Sequence, residues 1–188
     1  MLNTPNLLSI FRILLVPLLV VILLTKIDGK EFLGLGVFLL AALTDFLDGY
    51  LARRNKQETR LGKLLDPAAD KILTSAAFIS LVELGLAPAW MVVAIISREF
   101  AVSSLRAFIA SEGRVLAAGW SGKVKTVVQI VAIALLIFYN QLGEFAHLAP
   151  ISLWVALVIS VYSGLEYFAR FGREILREHL AATAGNDS

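Results

Sequence analysis

The sequence predicts an all-α integral membrane bundle of six transmembrane helices, with both termini in the cytoplasm. Three observations predict it. Of the 188 residues, 58% are hydrophobic, and the mean hydropathy is +0.78. The apolar residues lie in long runs broken by short charged loops, which leave no room for a separate soluble domain. Lys and Arg gather in alternate loops, the asymmetry that sets orientation in a bilayer.

Taken in order, Thr4-Pro5 reads as an N-cap with proline at the first helical position, opening a helix from about 6 to 24. Its first turns carry Asn6, Ser9 and Arg12 at successive i+3 spacing, a polar stripe on an otherwise apolar helix. Such a stripe either lies at the membrane surface with a snorkelling arginine or faces a wet cavity. A loop over 25–31 leads to a second span over about 32–52. Next comes a basic loop with Arg53, Arg54, Lys56, Arg60 and Lys63. The third span covers about 67–84, and Gly85-Leu-Ala-Pro88 is a tight turn into the fourth, about 89–110. A glycine-containing loop over 111–122 precedes the fifth span, about 124–139, and the sixth runs over about 151–168. Residues 1–170 form a single membrane domain, and 171–188 a charged cytoplasmic tail that frays.

The basic loops are 53–63, then 106–125 with Arg106, Arg114, Lys123 and Lys125, then the tail with Arg170, Arg173 and Arg177. The opposite loops hold only Lys26 and Lys30, beside Asp28 and Glu31. A net charge of +2 argues for orientation by these loops and against nucleic-acid binding. There is no cysteine, which excludes disulfides and thiolate chemistry. The N-terminus shows neither a cleavable signal nor a transit peptide, as expected of a bacterial inner-membrane protein.

Function is carried by the stretch from Asp45 to Asp70. Asp45 and Asp48 stand at i,i+3, and Asp66 and Asp70 at i,i+4, so on helices each pair shares a face. Four unpaired carboxylates deep in a bilayer would together cost about 10 kcal/mol, as much as a domain's whole stability. They are expected near the interface, lining a wet cavity and neutralised there. An all-oxygen donor set suits Mg²⁺ or Mn²⁺ better than zinc. Taken alone, Asp66-Pro67 is equally a helix N-cap with proline behind it. The combination says more. Gly49 and Ala52 keep the same helix face nearly bare, and Arg53 offers a planar fork matched to phosphate oxygens. Metal-binding carboxylates, small residues for access and an arginine make a site for diphosphate chemistry.

The spacing D-x2-D-G-x2-A-R-x8-G-x3-D-x3-D, filled here by Asp45, Asp48, Gly49, Ala52, Arg53, Gly62, Asp66 and Asp70, resembles the signature of the CDP-alcohol phosphotransferase family. The opening Pro5-Asn6-x-Leu-Ser9-x-x-Arg12 is similar to a segment that members carry near the nucleotide site. The resemblance implies two divalent ions held by Asp45, Asp48 and Asp66, with Asp70 completing the site and serving as candidate general base. It implies that Gly49, Ala52, Arg53, Gly62, Thr59 and Asn6 hold the cytidine diphosphate, and that the protein is a homodimer.

A second constellation follows. Arg98 and Glu99 form a charge pair inside the fourth span, and Arg106, at i+7 from Glu99, shares its face. Lys123 and Lys125 open the fifth span, with Gln129 one turn inside. The lysines alone read equally as positive-inside anchors. An arginine within a span needs an anion or a carboxylate partner. Gly-Lys-x-Lys-Thr resembles part of a P-loop, but its spacing is wrong and no strand precedes it. Together Arg98, Arg106, Lys123 and Lys125 read as a pocket for a second anion. The branch of the family that accepts sn-glycerol 3-phosphate has a similar Ser-Arg-Glu segment and Gly-Lys-x-Lys-Thr-x2-Gln run. The resemblance thus implies transfer of a phosphatidyl group from CDP-diacylglycerol to glycerol 3-phosphate, giving phosphatidylglycerophosphate and CMP. Synthesis of cardiolipin or of phosphatidylinositol phosphate is the alternative within the family. A membrane prenyltransferase would carry a second distant aspartate motif, yet no aspartate occurs between Asp70 and Asp187. An ion-coupled transporter would show internal repeats, and none is found. The last span carries no diagnostic residue.

Overall fold

The computed structural model describes the backbone of residues 4–55, 60–111, 113 and 120–184, and the side chains of 9–44, 68–111, 113 and 120–173. Among the described residues there are six α-helices and no strand. They are α1 (Thr4–Leu24), α2 (Lys30–Asn55), α3 (Arg60–Glu83), α4 (Ala89–Ser111), α5 (Trp120–Ile137) and α6 (Leu148–Ala184), with two short 3-10 segments at Tyr139–Gln141 and Gly143–His147.

The helix ends follow from local chemistry. Thr25 continues the last backbone bonds of α1, and the Lys30 ammonium donates to the Leu23 carbonyl at 3.1 Å, closing an otherwise open helix end. The C-terminus of α3 is a Schellman motif. Leu86 N–H reaches the Leu81 carbonyl at 2.9 Å and Gly85 N–H the Val82 carbonyl at 2.9 Å, with Gly85 at φ +72°. The turn expected at 85–88 is therefore present, and glycine is there because an L side chain resists that backbone angle.

Two expectations need correction. Asp66-Pro67 does not begin a helix, because α3 starts at Arg60 and runs through both residues. Proline cannot donate to the carbonyl four residues back, yet packed membrane helices absorb that loss, and Pro17 lies inside α1 in the same way. Nor does the last helix end at 168. It extends to Ala184, 37 residues in all, or about 55 Å at 1.5 Å per residue. Its charged half is held to α4 by a small cluster of Val102, Ile109 and Tyr167, with Leu105 and Phe171 against it.

The main core runs through the bundle. Leu15, Leu19 and Leu23 of α1 meet Phe38 and Ala41 of α2, Leu73, Phe78 and Leu81 of α3, Met91 and Ile95 of α4, and Ile133 and Leu136 of α5. α1 packs chiefly on α3 and α2, and α6 on α5 and α4. The outside also carries many large apolar side chains. Leu14, Leu40, Ile79, Val93, Val131, Val158 and Leu165 are all exposed, so every helix turns bulky hydrocarbon outward. Water-soluble surfaces do not carry apolar area of that extent. Trp120–Ile137 and Gly143–Arg173 are long and apolar enough to cross a membrane, and Ser9–Leu24 is a shorter apolar helix.

Candidate active site

Many of the polar side chains on α3, α4, α5 and α6 line one cavity of about 290 Å³. Asp70 and Lys71 come from α3, Arg98, Glu99, Ser103 and Arg106 from α4, and Ser121, Lys123, Lys125 and Thr126 from α5 or its first turn. The fourth wall is the stripe Ser163, Glu166, Tyr167 and Arg170 on α6, one face of a helix by its 0, 3, 4, 7 spacing. Six cations face three carboxylates, a formal excess of three positive charges. A cavity of that sign in low-dielectric surroundings focuses its field on an anion.

Glu99 is the centre of the ion pairs. Its carboxylate accepts from Arg98 at 2.9 Å and from the Lys125 ammonium at 2.6 Å, with the Gln129 amide at 3.5 Å. Arg98 also donates across to the Ser163 hydroxyl on α6 at 2.8 Å. Lys125 and Gln129 are buried, and Arg106 lies 5.4 Å over the Tyr167 ring, a cation–π contact. Arg170 pairs with Glu166 one turn away on α6. Thr74 donates to the Asp70 carbonyl at 3.0 Å, within α3.

A family model described as CDP-alcohol phosphatidyltransferase matches residues 2–162. The chain belongs to that family. Three relatives carry the name CDP-diacylglycerol–glycerol-3-phosphate 3-phosphatidyltransferase. The one from Bacillus subtilis (strain 168) is 45% identical over 184 residues, 90% of this chain and 95% of the relative. That from Haemophilus influenzae is 39% identical over 171 residues, 88% and 91% of the two chains. That from Escherichia coli (strain K12) is 36% identical over 181 residues, 93% and 97%. The protein is thus a phosphatidyltransferase, and neither the prenyltransferase nor the transporter reading stands.

Within this phosphatidyltransferase, Arg98, Arg106, Lys123 and Lys125, separated by up to 27 positions, all reach the same cavity, and Asp70 joins them from α3. Of the signature's four aspartates, Asp70 alone has a described side chain. Those of Asn6, Asp45, Asp48, Gly49, Ala52, Arg53, Gly62 and Asp66 lie outside the described set, and Thr59 lies outside the described backbone. The backbones of Asp45 and Asp48 near the end of α2, and of Asp66 and Asp70 near the start of α3, are helical, as their spacing requires. A short connection makes α2 and α3 neighbours, and each pair stands about 10–15 Å along its helix from that connection. Among the described residues no group of three or more His, Cys, Asp or Glu could hold a metal. The donor set that remains is all carboxylate oxygen, and Asp70 reaches a polar cavity from it, which fits a hard divalent cation.

Ser9 and Arg12 are fully buried, so these two side chains do not lie on the surface, and neither lines the cavity described above. The wall on α6 is what sequence reading missed. Ser163, Glu166, Tyr167 and Arg170 form a polar stripe on an apolar helix, the same signal that singled out Asn6, Ser9 and Arg12. Lys71 also lines the cavity, hidden in the sequence beside a more conspicuous aspartate.

Proposed function

We propose that the protein transfers the phosphatidyl group of CDP-diacylglycerol to sn-glycerol 3-phosphate, releasing CMP and phosphatidylglycerophosphate. The observation that carries this reading is the cavity itself, where a cluster of cations sized for a small phosphate opens beside Asp70. An acceptor with no net negative charge, such as zwitterionic serine or neutral inositol, would leave that charge excess unanswered. The relatives' printed name points to the same acceptor.

Asp45, Asp48 and Asp66, with Asp70, would hold two divalent ions, Mg²⁺ or Mn²⁺. Bound there, such ions supply charge neutralisation to the diphosphate and to the departing CMP. The chain's own residues do the rest. Gly49 and Ala52 leave room for the cytidine diphosphate, Arg53 forks onto its phosphate oxygens, and Asn6, Thr59 and Gly62 complete its seat. Arg106, Lys123, Lys125 and Arg98 hold the acceptor phosphate, which fixes the acceptor hydroxyl toward the donor. The hydroxyl oxygen bonds to the β-phosphorus as the bond from that phosphorus to the bridging oxygen breaks. CMP leaves with the electron pair, and the hydroxyl proton passes to the Asp70 carboxylate.

The same reading gives six spans over residues 1–170, both termini and the tail 171–188 in the cytoplasm, a bacterial inner-membrane location and a homodimer. The lipid tails of the donor stay in the bilayer while its headgroup enters the polar cavity. Acceptor competition tests the reading. Purified protein with labelled CDP-diacylglycerol is offered glycerol 3-phosphate, serine, inositol, inositol phosphate and phosphatidylglycerol. Label is expected in phosphatidylglycerophosphate. Preference for phosphatidylglycerol or inositol phosphate would move the protein to another branch of the family.

A further inference from the structure

We propose that Glu99, together with Gly164 on α6, positions Arg98 and Lys125 in the acceptor pocket and so sets acceptor affinity and selectivity, an inference that rests on the acceptor reading above. One carboxylate here serves two cations on different helices. Oε1 takes Arg98 of α4 and Oε2 takes Lys125 of α5, all three side chains being only 10–13% exposed. A purely structural pair needs one charge of each sign. This trio keeps a positive charge over, fixed in place and facing the cavity.

Arg98 is seated from the other side as well. Its second terminal nitrogen donates to Ser163, and Ser163 donates on to the Ser160 carbonyl at 3.1 Å. Between these anchors the side chain lies flat on α6 at Gly164. A Cβ there would stand 2.9 Å from Arg98 Cγ and 3.1 Å from its Nε. Those atoms lie mid-chain, so any side chain at 164 displaces the whole arginine. Glycine inside a helix is otherwise a liability, and close approach is the reason for it here. Glu99 itself is braced by its place in α4, where Ser103 donates to its carbonyl at 2.7 Å. Anion donors held in advance need no reorganisation when the acceptor arrives.

The charge arithmetic makes the test sharp. Glu99→Gln removes a carboxylate and raises the cavity's positive excess, so a residue that merely weakened the field would yield tighter acceptor binding when lost. A positioning residue gives the opposite. Initial rates of the full-length protein with Glu99→Gln should show KM for glycerol 3-phosphate raised at least about tenfold, with KM for CDP-diacylglycerol essentially unchanged. Inorganic phosphate, which would be held by the same positioned cations, should inhibit the variant less well than the wild type. Gly164→Ala, which keeps every charge, should show the same KM split. The double variant should be no worse than Glu99→Gln alone, because both act through Arg98. An unchanged or lower KM for glycerol 3-phosphate, an equal rise for both substrates, or additive losses would overturn the proposal. Should Glu99→Gln fail to fold, Gly164→Ala decides by itself. Wild-type protein that does not use glycerol 3-phosphate sinks the acceptor reading and this inference with it. Wild-type turnover without the KM split sinks this inference alone.

Discussion

Under the proposed function, single residues are expected to matter according to which substrate they hold. Asp70 is the one signature carboxylate with a described place on the cavity wall, beside the cations of α4 and α5. Asp70→Asn preserves size and removes the proton acceptor, so kcat is expected to fall at least about 10²-fold with the fold intact, as measured by turnover and thermal melting. Asp66→Asn should lose activity on a similar scale. EDTA should abolish wild-type turnover, and Mg²⁺ or Mn²⁺ should restore it. The two arginines are proposed to divide the substrates. Arg106→Ala should weaken glycerol 3-phosphate by roughly 2–4 kcal/mol and leave CDP-diacylglycerol untouched, while Arg53→Ala should do the reverse. Separate KM measurements for each substrate check this. A nucleotide-lipid defect in Arg106→Ala would remove it from the acceptor pocket.

At the level of elements, the sequence was legible wherever an apolar run and its punctuation agree. Lys30 and Gly85 lie at real helix boundaries, and Gly85 shows why punctuation works. Its left-handed backbone angle lets two carbonyls at the end of α3 find donors. Gly85→Ala is expected to destabilise the protein by about 1–2 kcal/mol without changing either KM, a shift that thermal unfolding in detergent would register. Reading failed where tertiary packing overrides local signals. Pro67 read as a helix start, but α3 begins at Arg60 and runs past it. The charged end of α6 looked like a tail, yet Tyr167 and Phe171 pack on α4 and carry the helix onward. Hydropathy sees neither effect, since both depend on residues distant in the chain. The stripe on α6 escaped for another reason: Ser163 and Tyr167 are ordinary in a membrane helix until Arg98 and Arg106 are seen against them.

For the whole molecule, the distribution of basic loops and the all-round apolar exterior describe one object. The cytoplasmic face should hold the 53–63 loop and the C-terminus. Cysteine placed singly at Gln57 or Asn186, in a chain with no cysteine of its own, should react from the cytoplasmic side and not from outside intact cells. Outside labelling of the Gln57→Cys protein would invert the topology and deny CDP-linked donors their access. The proposed function divides labour among the helices. The wall that α6 gives the cavity is the stripe Ser163, Glu166, Tyr167 and Arg170. The proposed donor motif lies on α2 and α3, whereas Ser163 and Gly164, against Arg98, and Tyr167, against Arg106, occupy two turns of a single helix. Under the acceptor reading, substitutions on those two turns are therefore expected to change acceptor affinity through Arg98 and Arg106 and to leave donor affinity as it was.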